Sequence, residues 1–248
     1  MGHFYHPKTG ALIDGDLRDA RKVGALPSPT TVLSMLSSFG LTEYFKRQMF
    51  EATATTARQP GWDDDTYYEA VKRFADEHGK AARERGGDFH DLIQQFHLST
   101  LGRAAPPEVP AHLSSQYDAY SCWYESNVEE CLMVEEAVIG DGYGGRVDLV
   151  ALLKDGRVAV PDVKTQDRKK RAGFNHYLSW ALQLGAYAGA VKDYTPDCLI
   201  SVIVSSNEPV VLEAYEWPKP WNYYWGLFMG VLSVYCEEKQ YFPSLLSL

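Results

Sequence analysis

Apolar spacing changes character near the middle of the 248-residue chain. In the first part it is helical. Val32, Leu33 and Leu36 follow the hydroxyls of Ser28, Thr30 and Thr31, which suits a helix start. A second helix is predicted from Thr42 through Tyr44, Phe45 and Met49 towards Ala54, ended by Gln59-Pro60-Gly61. Asp63, Asp64 and Asp65 supply caps and favourable charge for a third through Val71, Phe74 and Ala75. Gly86-Gly87 is expected to stop that helix, and Asp88 to cap another holding His90, Leu92, Ile93 and Phe96. The flanks differ: Met1 to Pro27 reads as an irregular arm, and Ala104 to Pro110, with three prolines, as a linker.

The second part mixes periods. After a helix around Tyr117 to Tyr124, strands are predicted from Glu130 to Ile139, Arg146 to Leu153 and Arg157 to Val163. Asn175 to Lys192 carries Leu178, Ala181, Leu182, Gly185, Ala186 and Gly189 at the spacing of a closely packed helix. Cys198 to Ser205 and Val210 to Tyr215 read as strands joined by Asn207-Glu208-Pro209, and Trp221 to Glu238 as a final helix. The order predicts an α/β or α+β protein: a meander, a crossover helix and further strands beside a helical cap. One domain over residues 1–248 is the expectation, with a helical lobe at 1–110 and an α/β core at 111–248.

Composition narrows the function classes. No apolar run is long enough to span a bilayer, since Trp221 to Tyr235 is interrupted by Asn222, Gly226, Gly230 and Ser233. The first residues mix Lys8, Arg18, Arg21 and Lys22 with Asp14, Asp16 and Asp19, unlike a signal or transit peptide, so a soluble intracellular protein is expected. Cys122, Cys131, Cys198 and Cys236 form no CxxC pair, which argues against a disulfide framework, a zinc site or an iron-sulfur cluster. A net charge of −9 argues against nucleic-acid binding over the whole surface, but a metal-neutralised site with a local basic path remains compatible with it.

The chemistry concentrates between Gly144 and Thr165. Alternation puts Asp162 and Lys164 on one face of a strand with Val163 turned to the core. A turn at Lys154-Asp155-Gly156-Arg157 folds Asp148 back towards Asp162. Two carboxylates and an ammonium at one spot suit phosphodiester hydrolysis. There Asp148, Asp162 and the Val163 carbonyl would hold Mg²⁺ or Mn²⁺, and Lys164 would hold the attacking water or meet charge on the phosphate. A lone DxK tripeptide is common, and as such is an ordinary strand end with an ion pair. Its surroundings change that reading.

Gly144-Gly145-Arg146-Val147-Asp148, then Pro161-Asp162-Val163-Lys164-Thr165, then Gln183 and Tyr187 four residues apart on one helical face, together resemble the PD-(D/E)xK nuclease superfamily in its RecB-type branch. The resemblance covers roughly residues 90–191. It implies a restriction-endonuclease-like core, a mixed central sheet flanked by helices, with Gln183 and Tyr187 facing the catalytic centre. It further implies a histidine metal ligand in Gly87-Asp88-Phe89-His90, for which His97 is the alternative. An additional acid is implied at Glu135 or Glu136, the family's spacing of a valine three positions after the acid matching Glu135 through Val138; alternation lets only one of the two face the site. Pro29-Thr30-Thr31-Val32-Leu33 is similar to the opening of small exonucleases related to the mitochondrial genome maintenance exonuclease and to phage recombination nucleases. The four-cysteine cluster of CRISPR-associated adaptation nucleases is absent, and no helicase motif accompanies the domain.

The expected activity is therefore that of a stand-alone metal-dependent DNA exonuclease acting on ends or single strands in repair or recombination, with no membrane association and with a recombination or repair protein as its expected partner. An endonuclease and a silent DNA-binding fold are the alternatives. Arg168, Lys169, Lys170 and Arg171 follow the DxK strand and could bind neighbouring phosphates. Trp221, Tyr223, Tyr224 and Trp225 could stack bases, although an aromatic terminal helix more commonly packs on the sheet.

Overall fold

The computed structural model describes residues 2–36, 39–168 and 173–243. The chain forms two compact units, one of Met1–Met35 with Asp91–Leu248 and the other of Leu36–His90. The expected lobe of residues 1–110 thus includes parts of both.

In the first unit, β4 (Val128–Ile139), β5 (Gly144–Leu153), β6 (Val158–Gln166), β7 (Cys198–Ser205) and β8 (Leu212–Glu216) form a five-stranded sheet in that order, preceded in the chain by β1 (Phe4–Tyr5), β2 (Leu12–Ile13) and β3 (Leu26–Pro27). The sheet is mixed. β6 and β7 are parallel, as the crossover requires, while the other neighbours are antiparallel. The helices are α1 (Leu17–Val23), α2 (Pro29–Leu33), α3 (Phe39–Thr55), α4 (Asp64–Thr100), α5 (Ser114–Asn127), α6 (Leu178–Ala190) and α7 (Trp221–Lys239). The crossover is α6, whose apolar residues join Val147, Val150 and Val160 of the sheet and Tyr224, Phe228 and Leu232 of α7 in the main core. Tyr224 is buried and Trp225 donates to the Tyr143 hydroxyl at 3.2 Å, so α7 packs as a core helix, and Tyr223 alone of its four leading aromatics is exposed. Among the described residues no helix is long and apolar enough to cross a membrane.

Two sequence expectations change. Residues 2–27 are not an irregular arm: β1 pairs with both β2 and β3, and α1 begins with a capping box between Asp16 and Asp19. Strands of two residues are too short to print an alternation. Nor does Gly86-Gly87 end a helix, because α4 continues through both glycines for 37 residues. Each helical glycine costs only about 1 kcal/mol relative to alanine, which burial of Phe89, Leu92 and Ile93 just beyond can offset. In the second unit, Ala52 of α3 and Val71 of α4 are buried, and the Tyr67 hydroxyl lies 3.1 Å from the Thr56 carbonyl oxygen.

Candidate metal centre

The turn that returns β5 into β6 is the one its residues predict. Gly156 adopts φ 88, Asp155 accepts from the Arg157 backbone, and Leu153 and Arg157 close the ladder at 2.8 Å. Pairing of β5 with β6 comprises Leu152↔Val158 and Ala151↔Ala159. Continued at that register, Asp148 would stand level with Asp162. Val163 lies in this stretch of β6, past the last β5 pair, with its side chain buried.

On the other side of β5, Val134↔Leu149 and Glu136↔Val147 leave Glu135 opposite Asp148. Two register shifts in β4, between Val128 and Glu130 and between Cys131 and Met133, precede that point. Glu135 itself has φ 52, a left-handed conformation costing a non-glycine residue on the order of 1–3 kcal/mol and concentrated at functional sites. Glu136 instead pairs with Arg103 at 3.4 Å. Glu135 is therefore the acid beside Asp148.

His90 is carried on α4. One ligand atom each from His90, Glu135 and Asp148 lies within 4.8 Å of the others, and all three residues are half-buried. His97, the alternative, is fully buried and lies 2.8 Å from the Tyr120 hydroxyl, its ring against Phe96 and Tyr124.

Asp162 is only 3% exposed, and among the described residues its Oδ2 has no partner in hydrogen-bonding geometry. The Lys164 ammonium lies 2.7 Å from that oxygen, an ion-pair approach outside hydrogen-bonding geometry. Burial pushes the Asp162 carboxyl above the usual carboxylate range; Lys164 opposes that rise and the nearby Asp148 adds to it. Lys164 also donates to Gln183 Oε1 at 3.2 Å, and Gln183 Nε2 donates to the Tyr187 hydroxyl at 3.2 Å. Asp162, Lys164, Gln183 and Tyr187 thus form one connected line from β6 to α6. Burial, with the charge of Asp148 next, holds the Tyr187 phenol well above its ordinary value, so the hydroxyl that accepts from Gln183 stays neutral.

Gly145 gives Tyr187 its place. A Cβ there would come within 2.8 Å of the Tyr187 ring and 3.2 Å of Pro29 Cδ. Gly145→Ala is expected to displace Tyr187 and cost about 1–3 kcal/mol, read as a lower melting temperature, whereas Gly156→Asn at the hairpin turn should cost less.

Comparison with known proteins leaves the family open. No protein-family model and no curated protein matches the chain. A solved structure, "Crystal structure of SSO0001", is similar to it at 14% identity over 79% of this chain and 87% of its own, with a TM-score of 0.29. A likeness that slight carries no argument.

Of the expected DNA contacts, Arg168 is described, its backbone bonded to the Asn207 side chain at 3.0 and 3.2 Å; Lys169, Lys170 and Arg171 lie outside the described residues. Two tyrosines that the sequence did not single out, Tyr120 and Tyr5, are within electrostatic reach of the cluster. The phenol of Tyr120 is in the field of Asp148 and Asp162, and that of Tyr5 is in the field of Arg146, Glu135 and Asp148. Arg146, two residues before Asp148, had a signal in its alternation with that aspartate. Tyr5 and Tyr120 had none.

Proposed function

We propose that the chain is a Mg²⁺- or Mn²⁺-dependent deoxyribonuclease with a restriction-endonuclease-like core of the PD-(D/E)xK type, acting as a RecB-type exonuclease on DNA ends or single strands in repair or recombination. One observation carries the reading: a histidine and two carboxylates converge, one of them Asp148 beside the buried Asp162, whose carboxylate has the Lys164 ammonium in contact. That donor set fits a hard divalent cation. Carboxylate oxygens suit Mg²⁺ and Mn²⁺, and the imidazole favours Mn²⁺ of the two. His90, Glu135, Asp148, Asp162 and the Val163 carbonyl would hold it. When bound, such an ion makes a water more acidic and offsets charge on a phosphate oxygen.

The remaining roles belong to the chain. Asp162 and Gln183 together hold the Lys164 ammonium, which at 20% side-chain exposure stays accessible to a water or phosphate oxygen. Lys164 would orient that water and meet the negative charge that develops as it attacks. Tyr187 fixes the Gln183 amide, hence the lysine. Arg168 to Arg171 would supply a basic approach on a chain whose net charge is −9.

The test uses end-labelled single-stranded, double-stranded and circular DNA with Mg²⁺, Mn²⁺ or EDTA. Labelled ends should be released only with metal, and Lys164→Ala should lose at least about 100-fold in rate. Cleavage of closed circles would favour an endonuclease. DNA binding without cleavage would favour a silent fold, and metal-independent cleavage by Lys164→Ala would sink the mechanism.

A further inference from the structure

Tyr5 packs against Gly144, which shares one side of β5 with Arg146 and Asp148, and neither Tyr5 nor Arg146 has a part in the reading above. Tyr5 reaches this place through the small N-terminal sheet. It is paired with Leu12 on one side and Leu26 on the other, and its Cβ would lie 3.0 Å from a Cβ built on Gly144. Gly144, Arg146 and Asp148 alternate along β5, so they share one side of that strand. The turn after β1 comes equally close to β4, since a Cβ on Gly10 would lie 2.6 Å from that of Ala137, the residue paired with Arg146. The N-terminal sheet is thereby fixed against the strands that carry both acids.

Among the described residues, the Tyr5 hydroxyl makes no hydrogen bond, and the Arg146 guanidinium makes neither a hydrogen bond nor an ion pair, although Glu135 and Asp148 are close enough to act on the phenol. Tyr5 is nevertheless only 8% exposed, while Arg146 is exposed. A neutral O–H donor beside a permanently charged guanidinium presents donors and no basic acceptor, the complement of an anionic oxygen. Two carboxylates next to it would repel an anion unless a cation neutralised them, which ties the pair to the metal-loaded centre.

We propose that Tyr5 and Arg146 form a phosphate-binding subsite beside the metal centre, taking a backbone phosphate of the bound nucleic-acid strand. The subsite rests on the nuclease reading, and binding separates the two. The full-length chain is titrated into a fluorescent single-stranded oligonucleotide in Ca²⁺, with the strand recovered intact on a gel, across a series of salt concentrations.

Tyr5→Phe keeps the ring against Gly144 and removes only the hydroxyl. It should raise Kd about 10-fold at an unchanged melting temperature. Arg146→Gln should raise Kd further and reduce the slope of log K against log salt by about 0.7, and Arg146→Lys should restore the slope while leaving Kd weak. An unchanged Kd in Tyr5→Phe, or an unchanged slope in Arg146→Gln, would overturn the subsite alone. Failure of the wild-type chain to bind with Ca²⁺, Mg²⁺ or Mn²⁺ would overturn the nuclease reading and the subsite with it.

Discussion

Asp162→Asn is expected to raise the melting temperature of the metal-free protein at neutral pH while lowering DNA cleavage about a thousandfold. Both effects come from one buried carboxylate. Its Oδ2 has the Lys164 ammonium at 2.7 Å and, among the described residues, no partner in hydrogen-bonding geometry, while Asp148 adds a second negative charge nearby. Burial and that charge raise the folded-state pKa above the unfolded value. The folded chain therefore binds the proton more tightly, and this group's contribution to stability is greatest below the unfolded pKa, near 4, and is lost as pH rises through the folded pKa. The amide needs no proton. In EDTA, the advantage of Asp162→Asn over wild type should grow from pH 4 to neutral, reaching on the order of 2 kcal/mol. A bound cation takes the place of the proton, so Mn²⁺ should stabilise the wild-type chain and act far less on the variant. The lost rate corresponds to about 4 kcal/mol of charge stabilisation at the phosphate. Thermal melts with and without Mn²⁺ provide the check: a variant no more stable than wild type in EDTA at pH 7, yet equally stabilised by Mn²⁺, would remove Asp162 from the metal site.

Gly185→Ala is expected to be the most destabilising single-methyl addition in α6. A Cβ there would stand 2.6 Å from the Trp225 backbone nitrogen and 2.8 Å from the Tyr224 carbonyl carbon. Backbone cannot rotate away as a side chain can, so α7 must shift, and with it the core contributed by Tyr224, Phe228 and Leu232. The gain in helix propensity, about 1 kcal/mol, is smaller than the overpacking cost. A net loss of about 2–3 kcal/mol would lower the melting temperature by roughly 4–12 °C in a chain of this size. Gln183 and Tyr187 flank Gly185 on the same helix, so the line to Lys164 should loosen as well. Gly226→Ala is the control: on α7 its Cβ would meet nothing within 4 Å, and it should be neutral or slightly stabilising.

Much of this was legible without coordinates. The chain itself specified the β5–β6 hairpin, the β6–α6–β7 crossover, and Gln183 and Tyr187 on one face of α6, because periods of 2 and 3.6 are printed in side-chain order and Gly156 marks its turn. It also specified which residues could bind a cation, since ligand chemistry resides in the side chain. Tertiary structure decided where those residues meet. Two register shifts and a left-handed Glu135 set the Glu135 side chain, rather than that of Glu136, beside Asp148, and strict alternation does not register a bulge. The helix passes through Gly86-Gly87 because burial beyond them outweighs a local cost of about 1 kcal/mol per glycine. Tyr5 reaches Gly144 of β5 from a strand of two residues, which has no period to read. Its place is set by pairing and packing across more than a hundred residues of chain, and such long-range contacts leave no pattern in local sequence.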